Sequence, residues 1–465
     1  MANRLDIRTA WEAYRPSASN PWDLRKAGHL YRRAAFGGTW NELQSALSDG
    51  PEKTIERLLD GGPDTAKFES STLDLSKPIR QGADPQLAAA WWLYRMLYTP
   101  HPLAEKMTLF WHNHFATSQA KVQSLRHMLG QYDLLHRHAL GSFGPMLQAI
   151  SKDPAMLIWL DTVDSKVGKP NENYARELME LFSLGIGNYT EKDIREAAKA
   201  FTGWGVANNA YAFVAADHDN TVKNVLGKSG NFNGEDIVEI CLDQPACARF
   251  LVTKLYRYFI NESAPIPPGL LEPLAEQFRR SKYDIRQLVG TMLRSNCFFA
   301  AENYRARIKS PVDFALGILR GLEGRVGTTG LADAIESLGQ VLFQPPSVKG
   351  WDGGTTWLNG QTLLFRQNLA LAMTSTEDTR FGRRCDPSQL VRKHAKSSDT
   401  EIVDFLLDLF LQGDVPPESR QQLLGYLANA TKQKPPVYWT QDDVASHRIR
   451  AVCHLVLALP VFQLD

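Results

Sequence analysis

TEKDIREAAKAF, residues 190–201, restricts the kind of fold open to this chain. Thr190 stands where a helix N-cap belongs, and Asp193 follows three residues on, a variant of the capping box. Ile194, Ala197, Ala198 and Phe201 then recur at i, i+3, i+4 and i+7, the spacing of a helix with one buried face. SPVDFALGILRGL (310–322) repeats the logic: Ser310 caps, Pro311 takes the first helical position, and Val312, Ala315, Leu316 and Leu319 make the stripe. The same pattern covers about 84–98, 102–113, 122–138, 244–259, 267–280, 283–294, 330–342, 401–411, 417–428 and 440–456. Period-2 alternation is confined to 211–232, a stretch punctuated by Gly, Asn and Asp. The sequence therefore predicts an all-α fold, a large multi-helix domain with at most a small β-hairpin near 211–232. The Gly- and Pro-containing stretches 62–85 and 322–330 read as connections, and KQKPP (432–436) as the lead-in to a final helix. The expected organisation is a main helical domain, 1–375, with a C-terminal helical portion, 376–465, packed on it.

Composition narrows the function. Apolar residues are 43% of the 465, enough to bury a large core. The 52 basic and 51 acidic residues give no electrostatic pull toward nucleic acid or an anionic membrane. No window approaches the roughly 18 consecutive apolar residues of a membrane span. The N-terminus lacks the apolar core of a signal peptide, so a cytoplasmic location is expected, unless the chosen start lies downstream of a signal. The five cysteines are scattered, and Cys241 and Cys247 match no zinc spacing; buried reduced thiols are expected.

Four segments concentrate chemistry. PNENYARELMELF (170–182) puts Tyr174, Leu178, Leu181 and Phe182 on one helical arc and Asn173, Glu177 and Glu180 on the other. Arg176 can pair with Glu180 at i+4 or Glu172 at i−4. A solvated, salt-bridged face explains this pattern, and so does a paired-carboxylate centre. FWHNHFATS (110–118) carries His112 and His114; on a continuous helix these point apart, so they can share a metal only if the helix ends near Asn113. DHDNTVKNVLGKSGNFNGED (217–236) holds His218, Asp219 and Lys223, as ligands and base or as a self-satisfied turn. LFQPPSVKGWDGGTTWLN (342–359) builds a tight loop bearing Lys349, Trp351 and a second tryptophan, as a ligand-stacking device or a bundle plug. No nucleophile elbow, dinucleotide fingerprint, HExxH or EF-hand is present.

Together with DPAMLIWLD and the run from PNENYARELMELF through AFTGW, these segments resemble the bacterial family of domain of unknown function 1800, from HLYRRAAFGG (29–38) to near the C-terminus. The resemblance implies a largely α-helical protein. It also implies kinship with proteins of which many carry an export signal, absent here, and many are encoded beside a sulfatase- or phosphatase-like partner. It brings no biochemical role.

Two functions follow from the residues. The first is a hydrolytic enzyme, metal-assisted or glycosidase-like. Glu177, Glu180, Asp161 and Arg176 would be its catalytic set, and Asn171, Asn173, Lys223, Lys349 and Trp351 would hold substrate. His112, His114, His218 and Asp219 are candidate ligands for zinc, manganese or iron. Paired carboxylates with 11 tryptophans suit sugar cleavage without metal. The second is a non-catalytic glycan- or protein-binding scaffold whose polar groups form a structural network. The enzyme reading expects helix 171–182, the end of helix 102–113 and loop 217–223 to meet at one pocket.

Overall fold

The computed structural model describes residues 6–430, 436 and 439–465; of KQKPP, only Pro436 lies among them. The fold is all-α, and the strands of the described residues form two small antiparallel pairs. The capping signals act as expected: Thr190 and Asp193 form a reciprocal capping box on Glu191–Ala200, and Ser310 accepts from Asp313 N ahead of Pro311–Gly321. The β signal resolves into two hairpins. Trp204–Ala207 pairs with Ala210–Phe213, beginning upstream of the expected stretch, and Lys223–Val225 pairs with Lys228–Gly230. Asn208 and Asn209 both take positive φ, as does the pair Leu226 and Gly227, giving the tight turns that match strand twist.

One stretch differs from expectation. Residues 62–85 are not a connection: Thr65–Gln81 is a helix despite Pro78. Its exposed leucines, Leu73 and Leu75, leave only a narrow buried stripe of Thr72 and Ser76, which is why no apolar period marks it. All five cysteines are free and buried, and no helix of the described residues is long and apolar enough to cross a membrane.

Helix Pro102–His114 lies at the centre, with every residue but Asn113 buried. A helix buried all round must satisfy its own charges internally. Its neighbours Glu105 and Lys106 point into different parts of the core and find different partners. Glu105 accepts from Arg95 Nε (2.7 Å), Trp92 Nε1 (3.0 Å) and Tyr132 Oη (2.8 Å). Burial alone would raise its carboxyl, but Arg95, aided by His136 and these hydrogen bonds, holds it below the usual range. Lys106 Nζ lies 2.5 Å from Asp313 Oδ1, on helix Pro311–Gly321. The two pairs tie the central helix to Pro85–Tyr98 on one side and Pro311–Gly321 on the other.

Removing Glu105 leaves the buried Arg95 guanidinium only the partly exposed Glu69 as carboxylate partner and takes the acceptor from Arg95 Nε, Trp92 and Tyr132. Glu105→Ala is expected to lower unfolding free energy by roughly 3–5 kcal/mol in urea melts followed by circular dichroism; a loss below about 1 kcal/mol would contradict the burial of this pair.

Candidate functional site

The central helix ends at a cleft. His112, Asn113 and His114 occupy its last turn, and Asn113, its one partly exposed residue, holds the loop that follows Pro345–Pro346. Asn113 Oδ1 accepts from Trp351 N (2.7 Å), and its Nδ2 donates to Trp351 O (3.3 Å). The side chain thereby imitates one rung of a β-ladder. Gly350 has φ +81°, and a Cβ there would stand 2.1 Å from Asn113 Oδ1, so only glycine lets the loop approach. Further along, Glu262 accepts from Gly354 N (2.9 Å) and Ile308 N (3.2 Å), pinning the loop's far end.

These clamps close a cleft of about 450 Å³. Trp351 and Trp357 line one wall. Helix Pro245–Phe259 supplies Thr253, Lys254, Arg257 and Tyr258 to another, and Arg307, Ser310, Asp313 and Gln340 close the remainder beside Lys349. Arg307 lies over the Tyr258 ring (4.3 Å) and 3.8 Å from Asp313. Its Nη1 is buried without a hydrogen-bond partner among the described residues. A second hollow of about 470 Å³ lies on the other side of Thr253 and Lys254, which line both; it is bounded by Glu180, Leu181, Ile186, Arg249 and Phe250.

The wall between the hollows depends on a local widening of the helix. Asn173–Glu177 is α-helical, but Leu178–Ser183 is a π-helical turn, with Ser183 Oγ donating back to Leu178 O. The helix ends at Ser183, so the carbonyls of this last turn have no partner within it. Phe182 O takes a hydrogen bond from His114 Nε2 (3.0 Å), and Leu181 O takes one from Lys254 Nζ (3.2 Å). Because Nε2 faces a carbonyl, it carries the ring proton, and Nδ1 is left to accept from Lys254 Nζ at 3.0 Å. Burial, and then Lys254, hold His114 well below the usual imidazole range, so the ring is neutral. Burial brings the Lys254 ammonium down to about 8.

The family described as "Protein of unknown function (DUF1800)" matches residues 29–464. The chain belongs to this family. Neither the curated proteins nor the solved structures contain a match.

Among the sequence-predicted residues of this DUF1800 chain, His114, Lys349 and Trp351 line the cleft, Glu180 lines the second hollow, and Glu177 lines neither, though it is within electrostatic reach of Lys349. The expected meeting of three segments is corrected for the third. His218 Nδ1 bonds Thr202 O, Asp219 caps Thr221, and Lys223 Nζ donates to Asp219 O (2.6 Å) and Thr221 O (3.0 Å). That loop satisfies itself, away from both hollows. The metal set is corrected too. The helix runs through His114, so His112 and His114 point apart. His112 packs against Trp92, Phe343 and Trp351, and burial pushes it down to about 3. The described residues hold one His/Glu trio with metal-like spacing, Glu69, Glu105 and His136, and the Arg95 guanidinium is already bonded to both carboxylates there.

Arg176 pairs with Glu191 (2.8 Å) and Glu172 (3.2 Å) rather than Glu180, in a partly exposed setting, while Glu180 accepts from Tyr189 Oη (2.9 Å). Asp161, Asn171 and Asn173 bond one another beside Lys121, outside both hollows. Sequence reasoning missed Lys254, Arg257 and Arg307. Lys254 sits in an ordinary amphipathic helix, and only contacts from two other elements turn it inward.

The lysine gives a pH signature. Its ammonium is disfavoured in the folded state, so the unfolded chain binds more protons between about pH 8 and 10.5, and stability rises with pH across that window. Lys254→Met is expected to lose this rise. The difference between wild type and variant in pH-dependent urea melts should be roughly 1–2 kcal/mol, allowing for the partial exposure of the amine. A difference that is flat from pH 7 to 10.5 would show an unperturbed lysine.

Proposed function

We propose that this protein binds an anionic, ring-bearing ligand of the acidic-sugar class in the cleft between Lys254 and Trp351. One observation carries the reading: four cations, Lys254, Arg257, Arg307 and Lys349, line a single cleft with three acids, Glu262, Asp313 and the exposed Asp352, and two of the three acids are committed elsewhere. Glu262 is taken by two backbone amides, and Asp313 by Lys106. Arg307 keeps a buried nitrogen without a hydrogen-bond partner among the described residues, a state that costs free energy unless something fills it. A carboxylate or sulfate ester satisfies such donors with charge-assisted hydrogen bonds. The indoles of Trp351 and Trp357 offer apolar surface for a sugar ring, and the volume matches one or two rings. This supports the binding reading of the sequence above the hydrolytic one.

A hydrolytic reading keeps one support of its own. Glu177 is half-buried, and burial, then the nearby Glu180, raise its carboxyl above the usual range. A carboxyl shifted toward its protonated form is what a general acid needs, and Glu180 would be its partner carboxylate. Lys349 opposes the shift. Neither carboxyl lines the cleft itself, so this pair would cleave only a ligand that reaches from it into the second hollow, and Glu177→Gln would abolish that cleavage without weakening binding.

Calorimetric titration with a uronic-acid disaccharide and its neutral counterpart tests the binding. The acidic sugar should bind and the neutral one should not. Lys349→Ala and Arg257→Ala should each weaken binding about tenfold, the equivalent of roughly 1.4 kcal/mol. Equal affinity for both sugars, or no effect of either substitution, would overturn the proposal.

A further inference from the structure

Lys254 differs from the other cations of the cleft in what holds it. Arg307 has Asp313 nearby, and Arg257 donates to Asn261 O (3.2 Å) and Ala264 O. Lys254 has no carboxylate partner among the described residues: its nitrogen has two neutral acceptors, His114 Nδ1 at 3.0 Å and Leu181 O at 3.2 Å. Both acceptors are fixed. His114 is held in the required tautomer by Phe182 O, and Leu181 O lies in the last turn of its helix, where carbonyls have no partner within the helix. A neutral amine has two hydrogens and one lone pair. Two acceptors use both hydrogens, and the lone pair is left over, on a residue that lines both hollows. An ammonium would have a third hydrogen with no oxygen or nitrogen acceptor, only the face of the Phe250 ring, 4.9 Å away.

We propose that Lys254 is a nucleophilic amine that forms an imine with an aldehyde or ketone bearing an anionic group, held in place by Arg257, Arg307 and Lys349. The choice of an anionic carbonyl compound rests on the anionic-ligand reading of the cleft; the nucleophilic amine itself does not. In the reaction the Nζ lone pair attacks the carbonyl carbon and a C–N bond forms. The carbonyl π pair moves to oxygen, which takes the proton shed by nitrogen, giving a carbinolamine. With one proton from solvent, the C–O bond breaks and water leaves, so amine, carbonyl and proton become iminium and water. No oxidant or reductant is needed. The lowered basicity of the amine supports the same assignment, since it leaves about half the lysine unprotonated near pH 8.

Reductive trapping tests this on the full chain. Glyoxylate, the smallest aldehyde with a carboxylate, is added with cyanoborohydride, which delivers hydride to the iminium carbon and leaves carboxymethyl-lysine. Peptide mass spectrometry then ranks the lysines by rate. Lys254 should be labelled about tenfold or more ahead of Lys349, the exposed lysine of the same cleft, with a rate midpoint near pH 8. Lys254→Arg should remove the label and leave Lys349 unchanged; if that variant fails to fold, the ranking in the wild type decides alone. Acetaldehyde is the neutral control. Lys254 labelled first by glyoxylate and slowly by acetaldehyde supports both amine and anion-holding cations. Lys254 labelled first by both at equal rates supports the amine and counts against the anionic-ligand reading. Lys254 labelled no faster than Lys349 overturns the amine, whatever calorimetry shows for acidic sugars.

Discussion

Two adjacent charges on one buried helix organise this protein. Glu105 and Lys106 are neighbours in sequence, about 100° apart around the helix, and neither reaches water. Each needs an opposite charge with good geometry, because an unpaired buried ion costs several kcal/mol. Arg95 and Asp313 meet these needs, and they sit on helices far apart in the chain. The central helix can therefore sit in one rotational setting only. A half-turn would bury both charges against apolar surface. That setting fixes where the helix's last turn points, and the last turn carries Asn113 and His114.

The cleft inherits its order from this constraint. Asn113 reads the backbone of Trp351 with both ends of its amide, and Gly350 permits the contact. His114 reaches a carbonyl in the last turn of the helix that ends at Ser183, and thereby fixes its own tautomer. Lys254 completes the chain of contacts. Four segments, joined by contacts that span 68 to 238 residues of chain, meet through hydrogen bonds in which each group has one permitted role, which leaves little room for the wall to adopt alternatives.

Much of the fold was legible because helices announce themselves locally. Thr190 with Asp193 and Ser310 with Pro311 were visible as caps, and the stripes behind them are the buried faces of the structure. Helix Thr65–Gln81 was not legible, because its buried stripe is made of Thr72 and Ser76 rather than leucine. The site was half legible. FWHNHF and PPSVKGW stood out by composition, and they meet. The imidazoles misled because a His-x-His spacing says nothing about rotation: His112 turns into an aromatic cage and His114 toward the cleft. Glu177 and Glu180 were readable as a pair, but only packing places Glu180 on the second hollow and Glu177 on neither. Lys254 carried no signal at all, since its character comes from two acceptors donated by remote segments.

The wall shared by the two hollows makes them one thermodynamic system. Lys254 belongs to both, so its protonation is a variable that both sense. An anion seated in either hollow favours the ammonium, and the ammonium in turn favours an anion in the other. The coupling is reciprocal by necessity: whatever factor the first occupant adds to the affinity of the second, the second returns to the first. The same proton that strengthens a second anion withdraws the lone pair from chemistry. Occupancy at one end of the groove is thus a brake on reactivity at the other, set by a single nitrogen.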